Sequence, residues 1–593
     1  MTTPTPKNSL SEVRTSLENR DIEKEKEKLE MPFDCGNVGF SAAESQQTEA
    51  QIFVETEVLE SKDVEDRTSG SFQELDDEGR FLHGWSLATL MTALMAAVFM
   101  VALDSSIIAT AIPRITSDFG RLYDVAWYGS SYLLTQMSMQ PTFGRIFTFF
   151  NMKWTYIGAF LIFEVGSIIC AAASTSTVFI IGRALAGVGA AGMFCGGLLI
   201  IAHAVPKIKR PLYMSTVSTM YGIAAVAGPL LGGLITDSKK LTWRFCFWLN
   251  VHINSRYVAF GVLAMVGLIW IFKEPKTPHS DLTYWQKIVK LDFLSAFILT
   301  GCLVCLLLAL QYGGLVYPWS DARVWGCLLG FALLTIVFVG MQYYKKENAV
   351  IPIRIISQRT VAISFLFKAF LQVAMMAQAY YVPIYFQAVR SLSAQDSGLR
   401  TLIFGVTIAI ATLAAGYLVT RLGYYVPFMI IGAAIFALGS GLLTSLKLDS
   451  GPEKWLSYQV VAGIGYGIPS LMPFYALQAV LSDEDVPTAN ALIMFSQCLG
   501  GSLGLSIAQN IFSSELVKGL RGIEGVNVQM VVDAGASDVV RVVEGLGVEV
   551  VQKVLEAYNG GLTKAFWLAV AGAGLAMMCS FGMENSSLKG KKK

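Results

Sequence analysis

Arg183-Ala184-Leu185-Ala186-Gly187-Val188-Gly189 lines up with Gln459-Val460-Val461-Ala462-Gly463-Ile464-Gly465. Two further matches run in the same order. Gly144-x3-Thr148 pairs with Gly416-x3-Thr420, and Gly228-x3-Gly232 pairs with Gly500-x3-Gly504, all at a spacing of about 272 to 276 residues. One short glycine match carries little, but three at one offset mark an internal duplication. Two of the matches lie in apolar runs and the Gly144 match lies between two such runs, so the duplicated unit is a set of membrane-crossing segments, two parallel copies related along the membrane normal.

Composition agrees. The chain has 593 residues, of which 54% are hydrophobic and 15% charged. Soluble domains carry about 25% charge, so this much apolar surface requires a lipid solvent. Basic and acidic residues nearly cancel, at 45 and 44, which gives no footprint for nucleic acid. Four histidines and nine cysteines are scattered without metal-ligand spacing, so neither a metal nor a cofactor is expected. No Gly-x4-Gly-Lys-Ser/Thr phosphate loop occurs, which removes the parts needed to hydrolyse ATP. No Ser/His/Asp or Cys/His constellation sits in the apolar segments, so an enzyme is not expected.

Residues 1–84 lack a long apolar run and include Glu23-Lys24-Glu25-Lys26-Glu27-Lys28, the composition of a disordered tail. Nothing in them resembles a cleaved signal, so the tail is expected in the cytosol. From Trp85 onward, fourteen apolar segments reach the roughly 20 residues that cross a bilayer as a helix. The first spans about 86–111, the sixth 256–272 and the last 563–583. Segments one to six (85–272) and nine to fourteen (346–583) form the two copies, with a linker and two inserted helices at 273–345 between them. The expected fold is therefore all-α, two six-helix bundles plus two inserted helices. An even count puts both termini on one side, and the basic tail at 584–593 favours the cytosol.

Ionisable residues at membrane depth are costly and point to function. Here they are Asp104, Glu164, Arg183 and Lys368. Counting helix rise places the first three at one level, roughly 10 Å below the outer face. A guanidinium and burial act in opposite senses on the protonation of a carboxylate. Asp104 is thus the expected proton carrier, Arg183 the group that senses its charge, and Glu164 a second acid. A buried pair without any transport role is the alternative. Lys368 is expected to snorkel to the interface.

Gly228-Pro229-x2-Gly232-Gly233 holds no titratable group, so its role would be mechanical, with close helix approach at the glycines and a bend at Pro229. Met100, Tyr132, Gln136, Gln378, Tyr381, Gln459 and Tyr466 bring aromatic, amide and thioether groups into the spans. They suit a pocket for a large, mostly apolar guest, although buried amides also serve as interhelical bonds. The stretch 514–562 carries valines at helical spacing among charges and is expected to be a solvated extracytosolic loop with no role in transport, a small capping helix pair over the exit being the alternative.

Four motifs together resemble one family. They are Leu103-Asp104-x8-Pro113, Arg183-x3-Gly187-x-Gly189-Ala190-Ala191-Gly192, Ala227-Gly228-Pro229-x2-Gly232-Gly233 and Trp243-Arg244-Phe245-Cys246-Phe247. From Trp85 to Met583 the chain is similar to fungal members of the fourteen-span drug:proton antiporter branch of the major facilitator superfamily, the toxin and multidrug pumps of secondary-metabolite clusters. The resemblance implies proton-coupled efflux of an organic small molecule by a monomer in the plasma membrane, with a vacuolar or vesicle membrane as the alternative. It also places the family's antiporter signature on Gly228 and Pro229 and its proton-linked arginine on Arg183. Import of a nutrient or siderophore on the same scaffold, or a receptor that does not transport, are the competing functions. One departure matters: the family's gating aspartate between segments two and three is Thr148 here, so an inner latch is expected to rest on hydrogen bonds.

Overall fold

A computed structural model describes residues 81–120, 124–237, 242–251, 270, 283–314, 317–528, 530, 531, 539 and 543–588. The expected tail at 1–80 and nearly all of the sixth segment lie outside the described residues. The first five helices are α1 (Gly84–Phe119), α2 (Val125–Phe149), α3 (Met152–Ala172), α4 (Ser176–Ala204) and α5 (Arg210–Asp237). Then come α6 (Phe245–Val251), α7 (Phe293–Tyr312), α8 (Ala322–Lys345), α9 (Arg359–Ile384), α10 (Ala394–Leu422) and α11 (Val426–Leu443). The last four are α12 (Pro452–Gly467), α13 (Met472–Val480), α14 (Val486–Leu520) and α15 (Val548–Ser580).

Among the described residues, eleven helical stretches are long and apolar enough to cross a membrane. The protein is an all-α, multi-pass membrane protein. Helix α2 is not among the eleven although it has 25 residues, because Ser130, Ser131, Thr135, Gln136, Ser138, Gln140 and Thr142 make it polar. It is sheltered by neighbours rather than by lipid: Ser131, Gln136, Ser138, Gln140 and Thr142 are all buried.

Local chemistry sets the helix ends. Asn151 accepts a hydrogen bond from the Trp154 N–H to start α3, Thr175 does the same for Val178 at the start of α4, and Asp292 for Ser295 at the start of α7. These caps satisfy donors that a helix start leaves free. Gly423 closes α10 in the left-handed region, at φ 84°, a conformation that costs glycine least.

Packing repeats the sequence repeat. Helix α1 lies on α5 as α9 lies on α14, α2 on α4 as α10 on α12, and α3 on α4 as α11 on α12. Close glycine contacts recur in the same places. A Cβ on Gly189 would strike the backbone of Phe163 in α3, and one on Gly465 would strike the backbone of Phe436 in α11. Among the described residues the largest contacts that join the sets are α2 with α14 and α5 with α10, and the repeat exchanges one for the other.

Between α14 and α15 the structure differs from the expected solvated loop. Helix α14 continues to Leu520 and α15 already begins at Val548. Val531, Val539 and Val543 are buried, and Tyr558 of α15 directs its hydroxyl to the Val531 carbonyl at 3.5 Å. The valines turn their apolar face toward the helix ends rather than water, because burial of that stripe outweighs its solvation.

Gly189→Ala and Gly465→Ala should each cost about 1–3 kcal/mol through overpacking against backbone. Thermal unfolding of the detergent-solubilised protein would register both as lowered midpoints. Gly197→Ala, where a Cβ meets no atom within 4 Å, should leave the midpoint in place.

Candidate functional site

Helices α1 and α4 bring the expected pair together. Arg183 Nη1 lies 2.6 Å from Asp104 Oδ2, and both side chains are 1% exposed. The guanidinium is held on its other sides as well. Its Nε donates to the Tyr128 carbonyl at 3.1 Å, and its plane covers the Tyr132 ring at 4.4 Å. Removing two charges from water costs several kcal/mol per ion, and only close pairing with further hydrogen bonds offsets it. Here the second carboxylate oxygen is also engaged: Asn250 of α6 donates from Nδ2 to Asp104 Oδ1 at 3.4 Å, and Asn250 lies 3.3 Å from Ser167 Oγ of α3.

Asn250 is a contact that the residue types alone did not single out. Its signal was its place six residues after the Trp243-Arg244 pair, which fixes α6. Trp243 Nε1 and Arg244 Nη1 both donate to Asp118 Oδ2 at the end of α1, at 3.2 and 2.9 Å, while Arg244 Nη2 donates to the Ala173 carbonyl after α3 at 3.0 Å.

Glu164 does not join the pair. It is half-buried on α3 and its Oε1 has no hydrogen-bond partner among the described residues. Helix rise says nothing of azimuth, and among the described residues the carboxylate that Arg183 meets is that of Asp104. Gly228 of α5 is buried against α1, where a Cβ would come 2.5 Å from the Ser106 Cβ and 3.1 Å from the Ile107 nitrogen. That contact seats α5 two residues from Asp104. Gly232 is also buried; the surroundings of Pro229 and Gly233 lie outside the described residues.

The polar and aromatic candidates fall in two groups. Met100, Tyr132 and Gln136 are buried near the pair on α1 and α2, with the Tyr132 hydroxyl unpartnered among the described residues. On the other side, Gln378 donates to Ser440 of α11, and Tyr381 donates to Gln509 Oε1 of α14 at 3.0 Å. Tyr466 donates to Gln372 Oε1 of α9 at 2.9 Å, and Gln459 donates to the Trp455 carbonyl of its own helix at 3.1 Å. These amides make helix-to-helix or intrahelical bonds. Lys368 departs from its expected interfacial position: its side chain is buried.

The two sets of helices also meet at the end of α2. Where α2 finishes, Gly144 admits Ala491 of α14, whose Cβ would lie 2.7 Å from an added Cβ, and Thr148 Oγ1 is 3.4 Å from Thr488 Oγ1. The repeat-related contact sets Gly416 of α10 against Ser215 and Pro211 of α5. Thr148 is thus within hydrogen-bond reach of Thr488, and charged contacts occur along the chain next to the same helix ends. Lys207 and Asp483 approach to 3.8 Å, Arg145 Nη2 donates to the Glu347 carbonyl at 2.6 Å, and Arg354 forks onto Asp485 at 2.7 and 2.9 Å. The hydrogen bonds from Arg354 hold the Asp485 carboxyl below its usual range, so this pair persists from neutral pH through ordinary carboxylate titration and is lost only at more acid pH.

The sequence model of the Major Facilitator Superfamily matches residues 94–505. The chain belongs to the major facilitator superfamily. It is thus a member of a family of transporters rather than enzymes. It is 45% identical over 516 residues to the MFS-type transporter ltbE of Aspergillus luteorubrus, covering 87% of this chain and 92% of the relative. It is 40% identical over 511 residues to the MFS-type efflux pump MFS1 of Arthroderma benhamiae, covering 86% and 93% respectively. Among solved structures, that of the proton:xylose symporter XylE shares the fold with a TM-score of 0.54 at 13% identity, covering 84% of this chain and 98% of that one.

Arg183→Met would leave the Asp104 carboxylate buried without its counter-charge, a change that costs about 3–5 kcal/mol. Asp104→Asn combined with Arg183→Met should unfold at a higher temperature than Arg183→Met alone, because the double variant buries no unpaired charge.

Proposed function

We propose that this member of the major facilitator superfamily exports an organic small molecule, a toxin, secondary metabolite or drug, in exchange for protons. The Asp104–Arg183 ion pair carries the reading. Protonation of Asp104 would remove the only carboxylate bound to Arg183 among the described residues and release the guanidinium to its Tyr128 and Tyr132 contacts. A buried pair that exists in one protonation state and not in the other biases a two-state equilibrium. Helix α5 is the direct mechanical neighbour: it packs on α1 through Gly228 and on α10 across the repeat boundary, so a change at Asp104 reaches the contact between halves in one step.

On this reading fourteen spans form two six-helix bundles, 85–272 and 346–583, with two inserted helices at 273–345. The duplicated packing of α1–α5 and α9–α14 supports it. Alternating access is a rocking of the bundles about the α2–α14 and α5–α10 contacts. The end where Thr148 meets Thr488 is the cytosolic one, with both termini cytosolic. The protein acts as a monomer in the plasma membrane, or in a vacuolar or vesicle membrane. Export rather than nutrient uptake is favoured by the relative from Arthroderma benhamiae, which carries the name of an efflux pump. Gly228, Pro229, Gly232 and Gly233 would form the pivot. Met100, Tyr132, Gln136, Gln378, Tyr381, Gln459 and Tyr466 would line the path, and Glu164 would serve at most as a secondary proton site.

Reconstituted inside-out vesicles with an acid lumen should accumulate rhodamine 6G with the wild type. Asp104→Asn should reduce that accumulation to the level of protein-free vesicles while dye-for-dye exchange continues. Undiminished gradient-driven accumulation by Asp104→Asn would remove Asp104 from the coupling.

A further inference from the structure

Lys368 lies on α9 with its side chain 2% exposed. Its Nζ donates to the Ser470 carbonyl at 2.6 Å and stands 5.8 Å from the centre of the Phe474 ring. No carboxylate of the described residues pairs with it. A lone ammonium is among the most costly groups to place inside a membrane protein. It carries three donors, and among the described residues a single hydrogen bond from Nζ is formed.

The partner of that bond is informative. Ser470 sits between Gly467 and Met472, where α12 has ended and α13 has not begun. A break in a helix frees carbonyl groups that lipid cannot solvate. Neutral hydroxyls already serve the Gly467 carbonyl: Thr412 Oγ1 donates to it at 3.1 Å and Ser470 Oγ at 2.8 Å. One further hydroxyl or amide would satisfy the Ser470 carbonyl without bringing a charge out of water. The charge on Lys368 exceeds what the break requires.

The surroundings lead toward the middle of the molecule. Cys498 of α14 is within electrostatic reach of Lys368 and of Tyr132, and Gln140 of α2 donates to Cys498 Sγ at 3.7 Å. Cys498 thus stands where α2 meets α14, on the helix against which the α9 of Lys368 packs. Interrupted helices at the midplane are where transporters of other folds hold charged groups of their cargo.

We propose that Lys368 is an anion-binding site for the cargo. It takes a carboxylate, or an ionised phenol or enol, of an organic acid, which replaces the Ser470 carbonyl as acceptor of the ammonium. Among the organic molecules the protein accepts, acidic ones whose apolar body contacts Phe474 are thereby favoured. This rests on the transport reading only in requiring that an organic cargo binds; it needs neither proton coupling nor a direction of movement.

The test is equilibrium binding to the purified full-length protein in detergent, without a gradient, using 9-anthracenecarboxylate and its uncharged methyl ester. Wild type should bind the acid about tenfold or more tightly than the ester, the difference expected of a charge-assisted hydrogen bond. Lys368→Gln, which keeps an N–H for the Ser470 carbonyl, should remove that preference and leave ester binding unchanged; Lys368→Arg should retain it. Equal loss of acid and ester in Lys368→Gln, undiminished acid preference in that variant, or a wild type that binds the two alike or binds no acid would each overturn the proposal. Because the wild-type comparison stands alone, a poorly folding Lys368→Gln does not rescue the idea. Failure here with intact gradient-driven dye transport would fault the anion site alone.

Discussion

A guanidinium and a carboxylate that meet at 2.6 Å inside a membrane protein restrict everything around them. Neither group can turn outward without presenting a charge to lipid, so α1 and α4 are held in register at that level. The remaining polar atoms also need partners, which draws in the Tyr128 carbonyl, Asn250 and, through it, Ser167. Five helices are thereby tied by one pair. Buried ion pairs contribute little net stability compared with apolar packing of the same volume, so what this one contributes is the fixed register of the helices that meet at it.

Around this centre the chain uses backbone proximity instead of side-chain volume. The glycines of α4 and α12 allow their neighbours to approach at the distance of main-chain atoms, and dispersion between such closely packed surfaces holds helices together where lipid offers no hydrophobic gain. The contacts across the repeat boundary use the same device. Gly144 meets Ala491 and the backbone of Pro487 and Thr488, and Gly416 meets Ser215 and the Pro211 carbonyl.

Much of this was legible in the residues. The repeat was visible because close helix packing demands glycine at fixed positions, and the same demand recurs in each copy. Asp104 and Arg183 were visible because charge is rare in apolar segments. What escaped was whatever depends on rotation about a helix axis. Glu164 makes no bond to Arg183 among the described residues, and Lys368 turns inward to the helix break that Pro469 and Pro473 flank. Asn250 is an ordinary residue made important by where Trp243 and Arg244 anchor α6. The valines near 531–543 had the right spacing, but their burial depends on how far α14 and α15 extend, which local hydropathy underestimates when a helix continues past the lipid.

The polarity of α2 bears on how the protein is made. A segment with hydroxyl and amide side chains along much of its length partitions poorly into hydrocarbon by itself. Its shelter is the glycine-rich surface of α4, where Thr135 donates to the Ala184 carbonyl at 2.7 Å, and α4 leaves the ribosome some fifty residues later. During biosynthesis α2 must therefore wait at the insertion machinery, or in a watery vestibule, until α4 arrives to receive it, and a delay in synthesis between them would expose the nascent chain to quality control.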